Sequence, residues 1–498
     1  MSYPRLYSRI SITPAEESVS RLLPLIYEYA EHPDRAESVR EVVFKCHLKE
    51  QYSYGWIAGE CDAAPLARKQ QQEADRQVGE DDILRRQLRV LSLTAEQETA
   101  WMKRLTWTNT DLVAARMAET SRERQGDSFY ESQDAEFAQY AGTLLLMLCP
   151  NIEKLIYEVN PGVMSSILLR NNYDLLPDRH LTKLREVELL AEAGIFLHDP
   201  RMYNRLDVLG TMRLFHRLPS LEKVSMHAVG TDVNAEMQYF PPASSAVKTL
   251  VLDHVDFATA TTGPMIRMAK QLENLTVIAG GRATRGGGWV VQYPRTFAKA
   301  LARHKKSLRV LDIDMDSICH AGKNGRYLLE EDLPDERTDY ERWHHPEAAD
   351  LGDVLSEIDR QDSTEPLHTW EIEDDSDYDG SAPAPELREA YAPEYRHSPI
   401  CWESWNWMPP RGNYLKLVDS LPVSLEYLLI RGYQRGQCEY YDAEIDDLLH
   451  HRNRRLTRLE TILGIDVIIP SGEKVEDPDL DEDLLWVQED PDLEWVEL

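Results

Sequence analysis

The chain of 498 residues is 42% hydrophobic, enough to bury a sizeable core and too apolar for disorder along its whole length. Lys and Arg number 55 against 87 Asp and Glu, giving a formal net charge of −32 and a pI near 4.9. Phosphate backbones and anionic lipid repel such a polyanion, which argues against nucleic-acid and membrane partners. The six cysteines, Cys46, Cys61, Cys149, Cys319, Cys401 and Cys438, are far apart and form no CxxC pair. Free thiols of a reducing compartment are expected, not a zinc site. The opening MSYPRLYSRISITPAEE lacks the apolar core of a signal peptide, and no run of 18 uncharged apolar residues occurs. A soluble intracellular protein is expected, cytoplasmic, nuclear or both.

In chain order, Thr13-Pro14-Ala15-Glu16 predicts a helix start, with Thr13 as N-cap, Pro14 at the first helical position and Glu16 closing a capping box. Val19, Leu22, Leu23, Ile26 and Tyr29 recur at helical spacing up to Pro33, and Pro24 predicts a kink or a split. Val39, Val42 and Phe44 predict a strand that completes an N-terminal cap over residues 1–57. Residues 58–83, rich in Gln, Glu, Asp and Arg, read as a mobile polar insertion. Leu88, Leu91 and Leu93 suggest a further strand, and Phe137 to Leu148 a helix.

The strongest signal follows. One pattern, Φxx[LVI]xΦ, recurs as Ile152-Leu155-Tyr157, Leu184-Val187-Leu189, Leu221-Val224-Met226, Val247-Leu250-Leu252, Leu272-Leu275-Val277, Leu308-Leu311-Ile313, Leu425-Leu428-Ile430 and, degenerate, Leu459-Ile462. The last two apolar residues of each, one residue apart, share a face of a short strand. Successive middle residues are 32, 37, 26, 25, 36, 117 and 34 apart, the period of a solenoid whose units bury their apolar faces by stacking. Helical stretches at Pro264–Leu272, Pro294–Leu301 and Asp442–His451 precede strands. An α/β fold is therefore predicted: an irregular leucine-rich-repeat solenoid with parallel strands on the concave face and helices outside. The array covers 84–330 and resumes over 401–469 after an acidic, Pro-bearing, disordered insertion at 331–400. Residues 470–498 form an acidic tail, read as solvated, with an acidic-aromatic docking peptide as the alternative because Trp486 and Trp495 punctuate it.

Four constellations carry residue types capable of chemistry. Asp312, Asp314 and Asp316 alternate with apolar residues, so their carboxylates line one strand face about 6.5–7 Å apart; an acidic concave face is expected rather than a divalent-cation site. The loop Ala279–Trp289 lacks phosphate-cradle spacing and reads as a flexible connector, with contact of Arg282 and Arg285 to an acidic partner as the alternative. His344-His345 reads as surface histidines, and the Trp-rich run Cys401–Met408 as a cap on the core or a docking hot spot. No GxSxG, HExxH or nucleophile–base pair stands in a recognisable context, so no enzyme activity, cofactor or metal is expected. The expected function is protein binding through concave-face residues Lys223, Ser225, His227, Thr249, Val251, Asp253, Asp312, Asp314, Tyr427 and Arg431.

Several segments together resemble fungal F-box-type leucine-rich-repeat proteins. They are Pro4-Arg5-Leu6-Tyr7-Ser8-Arg9-Ile10, similar to the stretch that follows an F-box, then Ser38–Val42, the run Leu144–Leu155, and its relatives Leu218–Val224 and Leu272–Leu275. The likeness covers residues 1–330 and 420–465. It implies the substrate-recognition part of an SCF-type ubiquitin ligase, whose F-box holds a Skp1-type adaptor. Family members carry that box ahead of the Leu-Tyr motif, and here Met1 stands three residues before Pro4. The box is expected to be absent or encoded upstream, and the adaptor is a partner only if it exists. Two other readings stay open: a regulator of a small GTPase, similar to Ran GTPase-activating proteins, and an acidic histone-binding chaperone.

Overall fold

The computed structural model describes residues 6–12, 16–45, 80–106, 128–158, 162–190, 203–231, 241–257, 259–282, 297, 300–314, 417–436, 439–472 and 494–498. In chain order the elements are β1 (Tyr7–Ile12), α1 (Glu16–Glu31), α2 (Pro33–Ala36), β2 (Glu41–Phe44), α3 (Glu80–Val90), α4 (Ala95–Leu105), α5 (Ser128–Leu148), β3 (Lys154–Glu158), α6 (Val163–Asn172), β4 (Glu186–Leu190), β5 (Asn204–Leu206), α7 (Val208–Met212), β6 (Lys223–His227), β7 (Val229–Thr231), β8 (Thr249–Val255), α8 (Thr259–Arg267), β9 (Asn274–Ala279), β10 (Val310–Asp314), α9 (Leu417–Ser420), β11 (Tyr427–Arg431), α10 (Glu439–Arg455), β12 (Thr461–Leu463) and β13 (Val496–Glu497). The class is mixed α/β with mostly parallel strands. Among the described residues no helix is long and apolar enough to cross a membrane. The described residues divide into two compact units, 6–187 with 494–498, and 188–314 with 417–472, the division falling inside β4.

In the first unit β1, β2 and β3 run parallel, and β13 lies antiparallel on the outer side of β1. Ile10, Val42 and Leu155 form one lateral row, Ile12, Phe44 and Tyr157 the next, and all six are buried. The expected strand at 39–44 is present. Strand β1 was not foreseen, although Tyr7, Ile10 and Ile12 follow the repeat pattern. Helix α1 buries Leu22, Leu25, Ile26 and Tyr29. It continues past Pro24, which is exposed, so the proline does not split it. The expected N-cap, Thr13, lies outside the described residues.

The strand expected at Leu88–Leu93 is instead the end of α3 and the turn after it. Leu84, Leu88 and Leu91 are all buried, and steps of four and three residues place them on one helical face. Alternation read from Leu88 onward overlooks Leu84. A capping box starts α4: Gln97 N–H donates to Thr94 Oγ1 (3.2 Å) and Thr94 N–H to Gln97 Oε1 (2.9 Å). Gly142 of α5 lies against the Phe44 ring so closely that any Cβ would strike it, so glycine sets how near that helix comes to the sheet. Cys149, which follows α5, is a buried free thiol, and burial pushes its pKa up and keeps it protonated.

In the second unit the strand order is β12-β11-β10-β9-β8-β6, every pair parallel. The middle residues of the repeat fall in a single row, Val224, Leu250, Leu275, Leu311, Leu428 and Ile462, each opposite the next. The first five of these are fully buried, as are Leu252 and Ile430 two residues further on. Helix α8 spans Pro264 where a start was expected, and α10 matches its expected position. A small parallel pair, β5 with β7, stands apart from the main sheet. The expected insertion at 331–400, the run Cys401–Met408 and His344-His345 lie outside the described residues, as do Asp316, Arg285 and most of the 58–83 segment.

Candidate functional site

Because the Leu250 and Leu252 side of each strand is buried, the alternate residues form the opposite face. Register arranges them in rows. One runs Lys223, Thr249, Asn274, Val310, Tyr427, Thr461; the next Ser225, Val251, Thr276, Asp312, Leu429, Leu463. Beyond these, His227 lies opposite Asp253, and Asp314 opposite Arg431. All ten residues expected to bind a partner therefore belong to one sheet. Eight, Lys223, His227, Thr249, Val251, Asp253, Asp312, Tyr427 and Arg431, are half-buried and reachable. Ser225 and Asp314 are not: both are buried, at 3% and 1% exposure, which corrects their assignment to an open binding face.

The C-terminal ends of these strands carry a polar cluster built by backbone irregularity. Leu252 pairs with Val277 but Val255 with Ala279, so β8 holds an extra residue, and His254 adopts φ +52° there. Such a bulge re-aims a side chain, and left-handed backbone at a non-glycine residue is strained. The result sets Asp253 between two imidazoles: His227 Nδ1 lies 3.2 Å from Oδ2 and His254 Nδ1 2.7 Å from Oδ1. Burial would raise the Asp253 pKa, but hydrogen bonds from His227 and His254 outweigh it and hold the carboxyl well below the usual range. Ala228 (φ +53°), Gly280 (+82°) and Gly281 (+89°) add left-handed backbone at the ends of neighbouring strands.

The two carboxylates of the acidic strand β10 are held in different ways, one by a cation and one by neutral donors. Arg431 Nε and Nη2 reach back to Asp312 Oδ1 and Oδ2 at 2.8 and 2.9 Å, a bidentate pair that raises the arginine pKa. Asp314 accepts from Ser471 Oγ (2.8 and 2.7 Å) and from Gly472 N–H (2.8 Å). The chain after β12 thus crosses the strand ends, with Gly432 N–H donating to Ile469 O before Ser471 meets Asp314. A Cβ on Gly472 would come within 2.5 Å of Ala279 O and Ile278 Cγ2, so only glycine fits that path. Arg282, the alternative contact for an acidic partner, is buried, with Nη1 donating to Ala228 O at 3.5 Å. Among the described residues no group of three or more His, Cys, Asp or Glu side chains is arranged to hold a metal ion.

Sequence reasoning missed His254, Ser471 and Gly472. The adjacent Asp253-His254 pair was a visible signal; the clasp on Asp314 was not, because its partners are more than 150 residues apart. Asp314→Ala should destabilise the chain by about 2–4 kcal/mol, since a buried charge-assisted set of donors loses its acceptor. Urea denaturation reads this, and a change below about 1 kcal/mol would show that the clasp contributes little. The chain matches no family model, no curated protein and no solved structure.

Proposed function

We propose that this chain is a leucine-rich-repeat-type solenoid that binds a protein ligand, the substrate-recognition part of an F-box ubiquitin ligase receptor, and not an enzyme. The observation that carries the reading is the single buried row from Val224 to Leu428, flanked on the opposite face by a parallel row of half-buried, mostly polar residues from Lys223 to Thr461. Regular stacking of this kind presents a broad surface with no need of a deep pocket. Lys223, Thr249 and Tyr427 form one edge of that surface, and the His227, Asp253, Asp312 and Arg431 cluster forms the other. Cations and carboxylates there already neutralise one another, which suits a surface that reads shape and hydrogen-bond pattern more than net charge. The strong acidity of the whole chain gives the surface a bias against nucleic acid.

Affinity capture with cross-linking and mass spectrometry tests this. The unmodified chain is expected to retain a defined protein that Lys223→Glu combined with Tyr427→Ala releases, with the melting temperature unchanged. Cross-links should map to residues 223–227, 249–254 and 427–431. Retention by the double variant at full strength, or cross-links confined to other segments, would overturn the assignment. Binding that collapses between low and moderate salt would favour the histone-type acidic chaperone instead.

A further inference from the structure

The first unit carries a contact that protein binding through the polar face does not require. Strand β1 would be a free sheet edge, a template for pairing with another chain, but β13 covers it. Tyr7 pairs with Glu497 and Arg9 with Val496, with an irregularity between them. Leu498 N–H donates to Leu6 O at 2.8 Å, and Ser8 Oγ donates to Val496 O at 3.3 Å. The anchor is Trp495. Its ring meets Tyr7 edge-on with centroids 5.2 Å apart, its Nε1–H donates to Ser11 O at 2.6 Å, and the Arg21 guanidinium lies over it at 5.5 Å. This is a seat for one indole, with backbone pairing on one side and a cation on the other. The tail expected to be solvated is therefore docked over 494–498.

The cover is thin. Strand β13 has two residues, Val496 is 41% exposed and Leu498 74% exposed. The sequence also writes the docked motif twice, as Asp483-Leu-Leu-Trp-Val-Gln488 and Asp492-Leu-Glu-Trp-Val-Glu497. A segment repeated with its Asp-Leu, tryptophan and valine intact has the form of a ligand for a seat that reads those features.

We propose that the outer edge of β1, with Tyr7, Ser11 and Arg21, is a strand-acceptor site for an extended acidic peptide bearing Trp-Val. Residues 494–498 are its resident occupant, and a strand of the same chemistry on a partner protein displaces them. Main-chain pairing supplies affinity, as in other strand-addition interfaces, and the indole seat supplies specificity. The carboxylates beside the tryptophan complement Arg21. Because the resident strand is covalently attached, it competes at high effective concentration, so the site is closed until an incoming strand outcompetes it.

A fluorescein-labelled peptide of residues 492–498, titrated by anisotropy against the full chain, tests this. Trp495→Ala empties the seat and is expected to raise peptide affinity at least about tenfold over the unmodified chain. Arg21→Glu in that background should remove most of the gain, and a peptide with Ala for Trp should not bind. Should Trp495→Ala fail to fold by circular dichroism, Leu498→Pro decides the matter. It deletes the N–H that donates to Leu6 O while leaving the indole in place, and should raise peptide affinity by a smaller factor. Equal peptide binding to the unmodified chain and the folded variants, no binding to either, or equal binding of the Trp-less peptide overturns the proposal.

Discussion

Leu250→Asp is expected to unfold the second unit, whereas Thr249→Asp, one residue away, is expected to leave its melting temperature nearly unchanged. Leu250 is fully buried, between Val224 on one neighbouring strand and Leu275 on the other. Losing a buried leucine forfeits about 1.5–3 kcal/mol of apolar transfer, and a buried, unpaired carboxylate costs several kcal/mol more. Together these consume much of the roughly 5–15 kcal/mol by which a domain is stable. Thr249 is half-buried on the other face, and its Oγ1 accepts from Asn274 Nδ2 at 3.0 Å. Aspartate still offers that bond an acceptor, so its cost is the strand-propensity penalty, about 1 kcal/mol or less. Leu311→Asp repeats the first case in β10, where the leucine is fully buried between Leu275 and Leu428. Circular-dichroism melts read all three variants. Equal destabilisation by Leu250→Asp and Thr249→Asp would falsify the assignment of faces.

The strands were legible because their signal is local. Three apolar residues at fixed spacing, repeated seven times and once more in degenerate form, mark a buried edge whatever lies between, and all eight segments contain strands, as expected. Strand β1 carries the same spacing in Tyr7, Ile10 and Ile12. Leu88–Leu93 does not form the expected strand. A short apolar run fits both periods, and the deciding residue, Leu84, lay outside the window. What no local pattern carries is the site's shape. The extra residue in β8, the left-handed backbone at His254 and Ala228, and the clasp of Ser471 and Gly472 on Asp314 arise when strands distant in sequence fix one another's register. Asp314 looked like an exposed acidic position because alternation predicts face, not what else crosses that face. Tail docking was hidden likewise, since Trp495 needs the β1 edge to make sense of it.

Stability should fall steeply as pH drops below about 6.5, because two histidines of the second unit are buried in their neutral form. His304 is 1% exposed: its Nδ1 accepts from Leu272 N–H at 3.2 Å and its Nε2–H donates to Ile266 O at 2.9 Å. A second proton on Nδ1 would turn that acceptor against the Leu272 donor. Burial lowers its pKa, with Arg303 adding to the effect. His216 is fully buried, and burial, then Arg217 and Arg213, lower it further. In the unfolded chain both titrate near 6.5. Between that value and the lowered folded values the unfolded state binds more protons, so stability is full above pH 6.5 and is lost as pH falls. Each group contributes at most about 1.4 kcal/mol per pH unit, and the pair about 2.7. Asp253 adds a further loss at lower pH, since its depressed carboxyl stabilises the fold above the ordinary aspartate range and ceases to as it protonates. Urea midpoints should hold steady from about pH 8.5 to 7 and then decline towards pH 5. His304→Gln keeps an acceptor for Leu272 and a donor for Ile266 but cannot titrate, so it should remove about half of that slope. A midpoint flat down to pH 5, or a slope that His304→Gln leaves untouched, would show that these imidazoles are not what makes the fold acid-sensitive.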